Sequence, residues 1–79
     1  MEGFVRDTAL RKTIGVVDRV DADGVVLLHE LLSGKRGFVA NTTPINETAG
    51  AVKPGTHLDL DVEDHGNIMI VESAWTKRG

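Results

Sequence analysis

The sequence predicts a small all-β domain, a barrel closed from five antiparallel strands. Three observations predict it. Two β-branched and Leu-rich runs, residues 14–20 and 25–32, flank the polar reversal Asp21-Ala22-Asp23-Gly24. Residues 57–63 (HLDLDVE) alternate apolar and polar without a fault. Turn chemistry at 33–37, 53–55 and 64–67 marks off two further apolar runs, 38–40 and 68–71.

Residues 1–12 (MEGFVRDTALRK) mix charges with Phe4, Val5, Ala9 and Leu10 without strand alternation. They are expected to form a partly ordered N-terminal segment, because chain ends fray unless anchored. The barrel is expected over 13–74, and a C-terminal tail over 75–79. In the first strand Ile14, Val16 and Val20 share one parity and form its apolar face, interrupted by Asp18, while Val17 and Arg19 point the other way. Arg19 is therefore expected in solvent. Gly24 can take positive φ without steric cost, so 14–32 reads as a long hairpin. The second strand, 25–32, is apolar on both parities, as for a strand covered on much of both sides. Ser33-Gly34-Lys35-Arg36-Gly37 turns the chain into the short third strand Phe38-Val39-Ala40. Residues 41–54 carry few strand signals and predict a loop with a turn of helix. In the fourth strand Leu58, Leu60 and Val62 go inward, and His57, Asp59, Asp61 and Glu63 go to water. A turn at 64–67 leads to the last strand, 68–71, and to the tail with the single Trp75. Five strands with a long irregular connection between the third and fourth make an OB-type Greek-key barrel, a closure that removes most free edges.

Seventy-nine residues without cysteine exclude disulfides, thiolate metal sites and cysteine nucleophiles. No run reads as a signal peptide, and no apolar stretch approaches the ~20 residues that span a bilayer, so a cytoplasmic domain without a membrane partner is expected. A net charge of -3 argues against duplex DNA held mainly by phosphate neutralisation. The nine Lys and Arg can still gather on one face.

From about Thr13 to Ala74 the chain resembles the cold-shock domain and, more loosely, the S1 domain. The matching pieces are Gly15-Val16-Val17-Asp18-Arg19-Val20 with Asp23-Gly24, then Gly37-Phe38-Val39, then Val52-Lys53-Pro54-Gly55 leading into Leu58-Asp59-Leu60-Asp61-Val62. The resemblance implies an OB fold that binds single-stranded RNA or DNA, in transcription, translation or RNA handling. It departs from the family in its stacking surface. Asp23-Gly24-Val25-Val26-Leu27 carries no aromatic residue where the family's first RNA-binding motif falls, Ala40 and Asn41 replace a His and an aromatic in the second, and Arg19 stands in place of an exposed tryptophan. Each lost platform removes ~1–3 kcal/mol of stacking.

The leading expectation is a nucleic-acid-binding site in which Lys12, Arg19, Lys35 and Arg36 form a basic rim around Phe38 and Asn41, giving modest, salt-dependent affinity. The alternative is a protein-interaction module that uses the acidic strand, the apolar 27–32 run or Trp75 to dock a partner or a second copy. Arg19-x-Asp21-x-Asp23-Gly24 with Glu30 reproduces much of the EF-hand spacing, but a cation occupies the first ligand position, where it repels calcium. His29, His57 and His65 lie in three different elements without the spacing of a zinc motif or a triad, and the acidic row alternates as a solvated strand face does. No enzyme and no cofactor are expected.

Overall fold

Strand β1 (Arg11–Val20) runs between β2 (Val26–Glu30) and β5 (His57–His65), antiparallel to both. β2 continues into β3 (Arg36–Val39), and β5 into β6 (Ile68–Thr76), through antiparallel pairings. β3 and β6 then pair in parallel, which closes β1, β2, β3, β6 and β5 into a five-stranded OB-type barrel. A two-residue strand, β4 (Ile45–Asn46), adds a parallel pairing to the outer end of β6. This is a computed structural model; it describes residues 10–46 and 52–76, and among them there is no helix. The long connection expected before the fourth predicted strand, here β5, carries β4 and turns at its described ends, while 47–51 lie outside the described residues. Arg11 and Lys12 belong to β1, and Trp75 and Thr76 to β6; residues 1–9 and 77–79 of the two expected terminal segments lie outside the description.

The core collects Val17, Val26, Leu28, Val39, Leu58, Leu60, Val62, Met69, Val71 and Ala74. β5 supplies Leu58, Leu60 and Val62 at alternate positions, as its sequence requires. The first hairpin turns where expected: the Asp21 amide donates to the Val25 carbonyl, the Gly24 amide to that of Asp21, and Gly24 has φ 89°.

Two expectations about this hairpin are corrected. In β1 the inward residues are Gly15 and Val17, while Ile14 and Val16 are half-buried on the outer face and Val20 is exposed. A strand has period two, so a parity assigned one residue out exchanges its faces. The register also breaks: Val17 pairs with Leu28, but Arg19 pairs with Leu27, leaving Asp18 as an extra residue. That bulge turns Asp18 and Arg19 both outward. The second strand, expected to reach Leu32, ends at Glu30; there the Gly34 amide donates to the Glu30 carbonyl, and Gly34 takes φ 78°, folding Leu31, Leu32 and Ser33 into a turn. Val17→Ala is expected to cost about 2 kcal/mol and Val16→Ala well under half of that, because only Val17 leaves a cavity. Urea denaturation of the two variants measures the difference, and equal losses would restore the opposite parity.

Candidate functional site

Cross-strand register builds a groove on the outer face of β1, β2 and β3. Arg19 pairs with Leu27 and Leu27 with Phe38, one row across three strands. His29 pairs with Arg36 and Arg36 with Ile68, a second row beside it. Leu27 and His29 are two positions apart on β2, so both rows project from one face. The groove between them has a volume of about 580 Å³, with Leu27, Phe38 and Ile68 as its apolar lining and Arg19 and Arg36 at its rim. The bulge at Asp18 is what brings Arg19 to it. His29 Nδ1 lies 2.9 Å from Asp18 Oδ1, a contact that fixes the imidazole at the groove wall. Among the described residues Arg19 pairs with Asp21, at 3.9 Å with both side chains exposed, a pair that contributes little. Arg36 is exposed and has no ion-pair partner among the described residues.

Arg11, Lys12 and Lys35 lie elsewhere and face carboxylates. At the end of the barrel where β1 begins and β5 ends, Glu30 is only 7% exposed. It accepts hydrogen bonds from Arg11 Nη1 at 2.6 Å, Thr13 Oγ1 at 2.5 Å and Ser33 Oγ at 2.5 Å. These bonds, led by those of Ser33 and Thr13, lower its pKa to about 2. Arg11 also donates to both oxygens of Asp64, at 2.8 Å each, and Lys35 Nζ donates to Asp64 Oδ1 at 2.7 Å. Asp64 is held well below the usual carboxylate range by Arg11 and then Lys35, and Arg11 is pushed up by Asp64 and then Glu30.

A second groove, of about 420 Å³, crosses β1 on its other flank and is lined by Lys12, Thr13, Ile14, Leu31, Leu32 and Asp59.

The six expected site residues therefore divide. Arg19, Arg36 and Phe38 meet at the first groove. Lys12 lies on the second and is bound to Asp61 at 3.1 Å, Lys35 belongs to the Glu30–Asp64 network, and Asn41 Nδ2 donates to the Asp23 carbonyl at 3.1 Å, tying the segment after β3 to the first turn. Leu27 and His29 join the site from the 27–32 run that the docking alternative named, and Ile68 joins it although the sequence did not single it out. The signal was the alternation of β2, which sets Leu27 and His29 on the face opposite Val26 and Leu28. The calcium spacing is not assembled: Glu30 is occupied by Arg11, Thr13 and Ser33, and Asp21 and Asp23 lie at the other end of the hairpin. The histidines stay apart, His57 Nδ1 at 3.3 Å from the Gly55 carbonyl and His65 Nε2 at 3.3 Å from Glu63, and no group of three or more His, Cys, Asp or Glu that could hold a metal occurs among the described residues.

No family model and no curated protein matches this sequence. Solved structures do. Apo-CusF from Escherichia coli aligns with 15% identity and a TM-score of 0.58, covering 99% of this chain and 100% of that one. CusF with silver(I) aligns with 13% identity and a TM-score of 0.59 over 91% of this chain and 98% of that one. A tryptophan-to-alanine CusF variant with copper(II) aligns with 12% identity and a TM-score of 0.57 over 95% and 100%. At these identities the likeness is one of fold, and it corrects the sequence reading. The OB-type barrel stands, but the similar structures are of a protein described with silver and copper, not of a cold-shock domain on a nucleic acid. The basic rim agrees with the correction, since Lys12 and Lys35 face carboxylates and Phe38 is half-buried between Leu27 and Ile70. Binding of single-stranded RNA or DNA through Lys12, Arg19, Lys35, Arg36, Phe38 and Asn41 is withdrawn.

Proposed function

We propose that this barrel is a protein-interaction module that docks an extended segment of a partner protein in the groove over β1, β2 and β3. The observation that carries this reading is the pair of cross-strand rows, Arg19–Leu27–Phe38 and His29–Arg36–Ile68. Each sets one arginine beside apolar side chains; among the described residues Arg36 has no ion-pair partner, and Arg19 has a long, exposed pair with Asp21 at 3.9 Å. An apolar floor with a charged rim suits a peptide that carries a carboxylate next to an apolar anchor, because guanidinium holds carboxylate through paired, directional hydrogen bonds. The role is binding, with no turnover.

The ions that accompany CusF do not fit the residues present here. Silver(I) takes soft sulfur ligands together with imidazole, and copper(II) takes nitrogen and oxygen ligands, but no group of three or more His, Cys, Asp or Glu that could hold a metal occurs among the described residues. This chain has no cysteine, Met69 is fully buried in the core, and Met1 lies outside the described residues. His29 has its Nδ1 committed to Asp18. No metal role is therefore carried over.

A displayed library of short peptides, selected against the isotopically labelled protein, tests the proposal. Binders are expected to converge on an acidic residue beside an apolar one and to move the amides of Arg19, Leu27, His29, Arg36 and Phe38. Arg36→Glu, on an exposed side chain, is expected to weaken them ~10-fold or more while the spectrum stays folded. Binders that leave these amides unmoved, or that bind Arg36→Glu unchanged, would overturn the site.

A further inference from the structure

We infer that the segment docked in the first groove carries two carboxylates four positions apart with an apolar residue midway, the pattern acid-x-apolar-x-acid. This rests on the docking role proposed for that groove and adds what the partner must carry. The groove has four corners, and they are not alike. At the β1 end of the first row stands Arg19, and at the β3 end Phe38. In the second row Arg36 takes the β3 end, while on the β1 side the bulge sets Asp18 against His29, 2.9 Å from Oδ1 to Nδ1. The arginines thus lie on one diagonal. Asp18 repels a carboxylate at the third corner, and the Phe38 ring has no donor for one at the fourth. Both arginine corners are open to an acid. Arg36 has no ion-pair partner among the described residues, and the exposed 3.9 Å pair of Arg19 with Asp21 yields at little cost.

The diagonal sets the spacing. Two strands across and two residues along, at about 4.8 and 3.3 Å each, put the Cα atoms of Arg19 and Arg36 roughly 12 Å apart. An extended segment reaches about 13 Å between residues i and i+4, and residues i, i+2 and i+4 share one face. Acids at i and i+4 therefore meet the two guanidiniums while residue i+2 drops onto Leu27 and Phe38. Acids at i and i+2 span about 7 Å and leave one arginine unmatched. β2 is already paired on both sides, with β1 and β3, so the segment crosses the face and is held by its side chains rather than added as a strand. It comes from outside these 79 residues. The one pair of acids four apart in them, Asp59 and Glu63, has Asp61 midway and lies in β5, which is paired with β1 and β6.

Titration of the isotopically labelled full chain with synthetic peptides blocked at both ends tests the spacing. Peptides centred on Glu-Ser-Leu-Ser-Glu and on its isomer Ser-Glu-Leu-Glu-Ser share composition and charge and differ in spacing. The first is expected to shift the amides of Arg19, Leu27, Arg36 and Phe38, and to bind ~5-fold or more tighter than the isomer or than either version with one Glu replaced by Gln. Arg36→Glu, seen to be folded in the same spectra, is expected to lose this binding and to regain it when lysine replaces one of the two glutamates and not the other, which gives the direction of the segment. Equal binding by the two isomers, no loss on removing one Glu, or rescue at neither position overturns the spacing while shifts at the groove amides keep the docking role. Shifts confined to other amides, or none with either peptide at millimolar concentration, overturn the docking role and the spacing with it.

Discussion

Glu30→Ala is expected to lose about 3 kcal/mol of folding stability, a large share of what a domain of this size holds. The side chain is the hub of the network that joins the start of β1, the β2–β3 turn and the end of β5. Its removal leaves the Thr13 and Ser33 hydroxyls without their acceptor and opens a void at the barrel end. Arg11 keeps its two bonds to Asp64, which is why the loss stays below that of an isolated buried charge. Urea denaturation measures it. A loss below ~1 kcal/mol would reduce the network to a surface ion cluster.

The same hub sets an acid limit. The Glu30 carboxyl titrates at about 2 in the folded protein against 4.5 in an unperturbed chain, so the unfolded state binds its proton first as pH falls. The stability that this difference supplies is fully present above the unfolded value and is lost as pH drops from 4.5 through about 2. Linkage sets its upper bound near 3 kcal/mol. Asp64, displaced in the same direction by Arg11 and Lys35, extends the loss to lower pH. Glu30→Gln keeps the shape without the titration, so its stability is expected to fall less steeply than the parent's over this range. Parallel curves would assign the acid sensitivity to other carboxylates.

How far the sequence carries depends on whether a feature is local. The alternation of 57–63 is a property of one strand, and it became β5 with the expected inward face. β1 failed because two local signals conflict: three β-branched residues at even positions outvoted Val17, and nothing in the string announces an extra residue at Asp18. A bulge is visible only against its partner strand, in the jump from Val17–Leu28 to Arg19–Leu27. The end of β2 was hidden differently. Leu31 and Leu32 continue an apolar run past His29 and Glu30, and Glu30 is the residue that breaks the inward parity of Val26 and Leu28. The site was legible as far as its arginines and Phe38. Its neutralised members were not, since Lys35 meets Asp64 and Lys12 meets Asp61 only once the barrel closes.

Closure itself depends on Gly37, and Gly37→Ala is expected to cost about 3 kcal/mol. An added Cβ would stand 2.9 Å from the Met69 carbonyl oxygen and 3.0 Å from Met69 Cβ. Gly37 and Met69 are register partners in the parallel pair, so neither contact is relieved without parting β3 from β6. Gly15 gives the contrast. Its Cβ would come closer, 2.7 Å, but to Leu60 Cδ1, the far end of a side chain that can turn aside, and Gly15→Ala is expected to cost about 1 kcal/mol. The ranking therefore follows what is touched and not how near it is. Urea denaturation gives the two energies, and a reversed order would mean that the core around Leu60 is more rigid than the β3–β6 closure. Amide hydrogen exchange supplies the local readout: protection is expected to fall first at 36–38 and 68–70 in Gly37→Ala. Because Arg36, Phe38 and Ile68 flank that seam, peptide binding at the first groove is expected to weaken in the same variant and to survive in Gly15→Ala, which leaves the seam closed.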